Sequence, residues 1–384
     1  MELFIFDEIE KDLCIQGILN KDNTGILRSI VRFAETEGVT DNSLREYIAS
    51  LLANSSNILS DIAQSNGKIG DDLYRVALMD MDWIYKKLFS LPMKYSPSGN
   101  EVGFCEAYKD SIKALTEAKD ARELLDRLIM HYRTLGSGVT AKYVAFKFDN
   151  CLEGISEVDE QTFDTLLGID YQKEILIDNT KAFLAGKTAN NVLLFGDRGT
   201  GKSSSIKALL NMFADEGLRL VEVPKSSILK IPELSEELSK KPNKYILFLD
   251  DLSFESQDNE SKALKVAMEG QLRANSSNVL IYATSNRRHL VKETMADRQG
   301  GDFYVNDNIQ ETMSLCERFG ISLIFSSPNQ KEYLNIVKSM LLAHGIEMNG
   351  DIEKKAVVWQ MNYGSKSGRC AKQFVANYIS KEEK

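Results

Sequence analysis

Histidine is nearly missing from this chain: His131, His289 and His344 are the only three in 384 residues. They are too dispersed for a metal cluster, and each reads as a structural or surface residue. Cysteine is sparse as well. Cys14, Cys105, Cys151, Cys316 and Cys370 are scattered, odd in number and without a C-x-x-C pair. A disulfide framework or a zinc site is thereby disfavoured, and reduced structural thiols are expected. Positive charge is in deficit, with a formal net charge of −9 and a pI near 5.2. That argues against broad, unassisted binding to nucleic acid, which needs a basic footprint. No apolar run approaches the roughly 18 residues of a membrane span. The opening MELFIFDEIEKDLC is acidic, unlike the basic start of a secretory signal. The expected location is cytoplasmic.

What is present is the composition of a globular protein, 43% hydrophobic and 27% charged, long enough for two domains or more. No proline precedes Pro92, and residues 1–150 read as helical. Leu44, Tyr47, Ile48, Leu51 and Leu52 form one apolar stripe, with Ser43 and Glu46 at capping-box spacing. Leu125, Leu128, Ile129 and Tyr132 form another, stopped by Gly136. Lys94 to Gly103 reads as a loop. The acidic, poorly periodic stretch from Asp149 to Asp164 is assigned a linker at 151–164. A core at 165–327 follows. There, apolar runs at Asn191–Phe195, Leu218–Val223, Tyr245–Asp250, Val279–Thr284 and Ile321–Phe325 alternate with helical stretches. That alternation predicts a parallel sheet with helices on both faces. Residues 328–384 predict a helical lid, with a stripe at Tyr333, Ile336, Val337 and Met340.

The chemistry gathers in the core. Gly196-Asp197-Arg198-Gly199-Thr200-Gly201-Lys202-Ser203 matches G-x-x-x-x-G-K-[ST]. An apolar run precedes it. Ile206, Leu209, Leu210 and Phe213 follow at helical spacing. A strand, a glycine loop and a helix N-terminus in that order form an anion cradle. Lys202 brings charge to β- and γ-phosphates, and Ser203 offers a hydroxyl to Mg²⁺. A second apolar strand ends in Asp250 and Asp251, at the carboxyl edge where ligands bind such sheets. Asp250 is the expected Mg²⁺ residue and Asp251 the one that polarises water. A third strand ends in Thr284, Ser285 and Asn286, polar groups that either reach the water or γ-phosphate or form an ordinary turn. Arg318 and Arg369 stand out from spacing no more than other surface arginines do.

Five segments in order, LLGIDYQKEILIDNT, NNVLLFGDRGTGKSSSIKALL, FLDDLSFE, ATSNRRHL and SLCERFG, resemble the bacterial DUF815 family, a predicted group of AAA+ ATPases. The resemblance covers about residues 155–380. It implies a P-loop AAA+ core in the AAA+ strand order plus a helical lid, and ATP with Mg²⁺ as cofactors. It also implies sensor 1 at Asn286, an arginine finger at Arg318, sensor 2 at Arg369, and Leu167, Gly168 and Ile169 along the adenine pocket. One departure matters. The second motif usually ends Asp-Glu in the wider superfamily and here ends Asp-Asp. Glu255 is a possible substitute for the shorter Asp251.

These readings predict an ATPase that assembles as a ring or partial ring and remodels or loads a partner protein. A slow ATP-gated switch is the rival, and a small-molecule kinase ranks last. A GTPase is disfavoured because the nearest string to N-K-x-D, Asn20-Lys21-Asp22-Asn23, lacks the final Asp. Processive threading is disfavoured because VPKSSILKIPELSEEL carries neither an aromatic residue nor a glycine. DNA stays open through Lys225, Lys230, Arg287 and Arg288, with the overall acidity against it.

Overall fold

The computed structural model describes residues 3–38, 43–91, 103–252, 258–270, 278–286, 317–364 and 366–382. The chain forms two compact units. The first is Met1–Lys147 with Cys151–Val158 and Glu236–Lys244, and the second is Phe148–Asn150, Asp159–Ser235 and Tyr245–Lys384.

Helices dominate the first unit: α1 (Leu13–Asn20), α2 (Asn23–Glu37), α3 (Ser43–Asn54), α4 (Ile58–Gln64), α5 (Asp71–Ile84), α6 (Glu106–Thr116), α7 (Ala121–Thr134) and α8 (Val139–Lys142). Their starts are set by side-chain caps. Asp12 accepts from the amides of Cys14 and Ile15, Asn57 forms a reciprocal capping box with Ser60, and Asp120 accepts from Glu123. Leu44, Ile48 and Leu52 of α3 and Leu124, Leu128 and Tyr132 of α7 are buried in one core, as the helical spacing predicts. Each such side chain contributes about 1.5–3 kcal/mol by leaving water. Gly136 lies just past α7 at φ 86°, a left-handed backbone that glycine adopts without strain. The 94–102 part of the expected loop lies outside the described residues.

Strands β1 (Ala145–Asp149) and β2 (Cys151–Ile155) are sheet neighbours joined through Asn150. The sequence expectation placed residues 151–155 in a linker, because charge hid the pattern. Glu153 is exposed, and the residues on either side of it are less so, as an outer strand permits.

The second unit holds α9 (Asp170–Leu184), β3 (Val192–Gly196), α10 (Lys202–Phe213), β4 (Leu218–Glu222), α11 (Ile231–Ser239, shared with the first unit), β5 (Lys244–Leu249), α12 (Asp258–Gly270), β6 (Val279–Ser285) and β7 (Ile321–Phe325). Within it the strand order is β4-β5-β6-β3-β7. The pairs β5–β6, β6–β3 and β3–β7 are parallel. All five strands coincide with the five apolar runs to within a residue at each end. Strands β3, β5 and β6 are buried almost throughout, which is why they read as continuous apolar runs rather than alternating ones. Ile206, Leu209, Leu210 and Phe213 are the buried face of α10.

After β7 come α13 (Gln330–Ala343), α14 (Gly350–Tyr363) and α15 (Gly368–Glu382). They close a small core of their own around Tyr333, Val337, Leu341, Ala356, Ala371 and Phe374. Asn329 starts α13 with a reciprocal capping box to Glu332.

Candidate functional site

The glycine loop runs from the carboxyl end of β3 into α10. Gly196 is obligatory there: at φ 131°, a Cβ would lie 2.2 Å from the carbonyl oxygen of Phe325 on β7. Gly201 has φ 98° and directly precedes α10. The Lys202 side chain folds back over the loop. Its Nζ donates to the carbonyls of Gly196 at 3.0 Å and Asp197 at 2.6 Å. Burial pushes the Lys202 ammonium below its ordinary pKa, opposed by the carboxylates of Asp197, Asp250 and Asp251. The Asp197 carboxylate accepts from the amide and hydroxyl of Ser327, at 3.0 and 2.5 Å.

Parallel pairing brings the ends of β5 and β6 beside this loop. Ser203 Oγ donates to Asp250 Oδ1 at 2.7 Å. Thr284 Oγ1 donates to the same oxygen at 2.6 Å, and accepts from the Asp251 amide at 2.8 Å. Asn286 Nδ2 donates to Asp251 Oδ1 at 2.5 Å. Asp251 has φ 55°, a left-handed conformation uncommon outside glycine and most tolerated by Asn and Asp.

The helical subdomain supplies the opposite wall. Arg369 donates its amide to the Gly199 carbonyl at 3.4 Å. A cleft of about 1330 Å³ runs between the loop and the helices, lined by Lys202, Ser203, Asp250, Asp251, Asn286 and Arg369. Its apolar end is formed by Leu166, Leu167, Ile169, Ile336, Met340 and Val375. Arg198, Gly199, Thr200 and Gly201 also line it.

Arg318 stands apart. It is half-buried, three residues before β7, and is not among the cleft-lining residues. The register Gly196↔Phe325 puts the glycine loop at the carboxyl end of β7. Arg318 therefore lies beyond the opposite end of a strand that is four residue steps, about 13 Å, long. Glu255, Arg287 and Arg288 lie outside the described residues.

Sequence reasoning missed Ser327, which meets Asp197 from the segment leaving β7, Ser367, which approaches Gly199 from the helical subdomain, and Gln172, whose side-chain amide donates to the Ile324 carbonyl at 2.8 Å. No local motif marks them. Thr284 was visible only as a polar strand end.

The donor set suits a nucleoside triphosphate with a hard cation. The loop offers backbone amides and an ammonium for phosphate. Ser203 and Asp250 offer two oxygens, and Mg²⁺ keeps its remaining positions for phosphate oxygens and water. Among the described residues no group of three or more His, Cys, Asp or Glu could hold a metal by itself. Nor is any helix there long and apolar enough to cross a membrane.

A glycine loop leaving a strand flanked by β6 and β7, the order β4-β5-β6-β3-β7, and a helical subdomain after β7 define a P-loop fold of the AAA+ class. The chain belongs to the family described as "Protein of unknown function (DUF815)", which it matches over residues 140–382. Solved structures with a similar fold include the Holliday junction branch migration motor RuvB of Thermotoga maritima, at 13% identity, 56% of this chain, 71% of that chain and a TM-score of 0.36. Orc1 of Aeropyrum pernix, in complex with DNA, matches at 15% identity over 59% of this chain and 67% of its own, with a TM-score of 0.39. AMPPCP-bound DnaA of Aquifex aeolicus matches at 16% identity over 56% of this chain and 63% of its own, with a TM-score of 0.40. At these scores the likeness carries no weight for function. No protein with a curated description matches the chain.

Proposed function

We propose that this protein binds and hydrolyses ATP with Mg²⁺ and couples nucleotide state to conformational change or loading of a protein partner. The observation that carries this reading is the meeting of the glycine loop with the acidic end of β5, through the 2.7 Å bond from Ser203 to Asp250. Residues Gly196 to Ser203 cradle the phosphates, and Lys202 turns from the loop carbonyls to a phosphate oxygen. Ser203 and Asp250 hold the cation, which when bound neutralises charge on the β- and γ-phosphates. Asp251 takes a proton from the attacking water, and Asn286 orients that carboxylate. Arg369 carries nucleotide state from the loop into α15. Ile169 and its neighbours receive the adenine.

Arg318, at the far end of β7 from its own loop, serves the γ-phosphate of a neighbouring copy. A homo-oligomer, ring or partial ring, follows from that role. The organisation proposed with it is an interaction domain at 1–150, a linker, the core at 165–327 and a lid at 328–384. A nucleic-acid partner is not favoured by the net charge of −9.

A slow switch is the second reading, and one observation favours it. Asp251 is a methylene shorter than glutamate, and one of its two carboxylate oxygens already accepts from Asn286 at 2.5 Å, so its reach toward a water is reduced. Phosphate release by Asp251→Asn and Glu255→Gln decides which residue activates water. If Asp251 is the base, Asp251→Asn keeps nucleotide affinity and loses about 10²–10⁴ in rate. Normal hydrolysis by Asp251→Asn with loss in Glu255→Gln transfers the role to Glu255.

A further inference from the structure

We propose that Thr284 is a positioning residue that sets the adjacent aspartates to different tasks, an inference that rests on the ATPase reading above. Thr284 is 2% exposed and its side chain has one hydroxyl proton to give. Both bonds it makes have a forced direction. The Asp251 amide is only a donor, so at 2.8 Å the hydroxyl must accept from it. The hydroxyl proton is then committed to Asp250 Oδ1 at 2.6 Å. The carbonyl oxygen of the same threonine accepts from the Leu252 amide at 2.7 Å. One residue of β6 thus binds three consecutive residues of the chain leaving β5.

Each bond has a separate consequence. The bond to Asp250 fixes the oxygen that also meets Ser203, so the two cation-facing groups share one orientation. The bond to the Asp251 amide holds a backbone at φ 55°, a left-handed conformation that is uncommon outside glycine. That turn sends the two carboxylates apart, one to Ser203 and the other to Asn286. Thr284 and Asn286 are two residues apart, the spacing that puts strand side chains on one face. A valine in place of Thr284 preserves shape and burial but removes both bonds.

The test compares Thr284→Val with Thr284→Ser, the second keeping the hydroxyl. Nucleotide affinity is measured with a fluorescent non-hydrolysable ATP analogue over a Mg²⁺ titration, and phosphate release is measured in parallel. Thr284→Val is expected to lower kcat about tenfold to a hundredfold, the effect of losing a hydrogen bond to a charged group. Its half-saturating Mg²⁺ concentration is expected to rise several-fold, with KM for ATP at saturating Mg²⁺ within about threefold. Thr284→Ser is expected to restore both. Rates and Mg²⁺ dependence within twofold of wild type in Thr284→Val overturn the proposal. So does an equal loss in Thr284→Ser, which would mean that packing and not the hydroxyl is at work. If Thr284→Val fails to fold, Thr284→Ala takes its place in the same comparison. The Mg²⁺ arm needs no turnover. A wild-type protein that binds the analogue but releases no phosphate therefore removes the hydrolytic reading while the Mg²⁺ shift still decides the role of Thr284. A wild-type protein that binds no analogue overturns both.

Discussion

Asp80 in the helical unit and Asp250 at the end of β5 are both carboxylates held by several hydrogen bonds, yet the bonds differ in kind. Asp80 is 2% exposed and accepts from three consecutive backbone amides, those of Phe4, Ile5 and Phe6. Backbone amides have nowhere else to go once buried, so this carboxylate is consumed in tying the N-terminal segment to α5. Asp250 is exposed to the cleft, and its partners are the hydroxyls of Ser203 and Thr284. Thr284 is held by a second bond, from the Asp251 amide, but the Ser203 hydroxyl can rotate and exchange one partner for another. The same contrast runs through both units. Tyr132 gives its hydroxyl proton to the Leu52 carbonyl at 2.5 Å, and His131 meets Ser111 at 2.8 Å, both inside the helical core. The second unit also has such groups, as where Asn179 and Thr180 meet Tyr282 in its interior, and it adds to them a set at the ends of β5 and β6 that faces the cleft. The helical unit spends its buried polarity on folding, and the strand ends of the other carry the groups proposed for a ligand.

The largest effect expected lies on the ligand side. Arg318→Ala should lose on the order of 10³-fold or more in ATP hydrolysis if its guanidinium serves a neighbouring site. Mixed with Lys202→Ala, itself inactive, some interfaces pair an intact loop with an intact arginine, and activity should partly return. Wild-type turnover by assembled Arg318→Ala breaks the trans arrangement.

On the folding side, Asp80→Ala leaves three amides without their acceptor, at about 1–3 kcal/mol each, so unfolding in urea should show a loss of about 3 kcal/mol or more. The comparison requires that nucleotide affinity of the folded protein stay unchanged. A weakened affinity would mean that the two units do not divide their polar groups as described.

A smaller effect is expected from pH. Burial pushes the His131 imidazole down to about 4 from an ordinary 6.5. Its folded value is the lower one, so the unfolded chain takes up the proton first. The stability it contributes is complete above about pH 6.5 and is lost as pH falls toward 4, by up to about 3 kcal/mol. Urea midpoints at pH 7, 5.5 and 4.5 should follow that slope, and His131→Gln should flatten it. An unchanged slope in the variant would place the titration elsewhere.

The second unit was far more legible in the sequence than the first. Buried parallel strands leave unbroken apolar runs, and Gly196, Gly201, Lys202 and Ser203 are neighbours in sequence because they share one turn from β3 into α10. Asp250 and Asn286 were visible as polar ends of apolar strands. Asp80 was not, because its partners lie more than 70 residues away and nothing local distinguishes it from a surface aspartate. Ser327 and Ser367 were hidden for the same reason. Strand β2 was lost because its exposed Glu153 and the acidic stretch that follows it resembled a linker.

The central claim is that the loop from Gly196 to Ser203 is a nucleotide cradle, and binding tests it most directly. Titration of a fluorescent ATP analogue with Mg²⁺ into wild type and Lys202→Ala should give saturable binding in the first. In the second, the affinity should be weaker by about tenfold to a hundredfold, the equivalent of a charge-assisted contact of about 1.5–3 kcal/mol. Equal affinity in the two proteins, or no binding by wild type, would contradict the account.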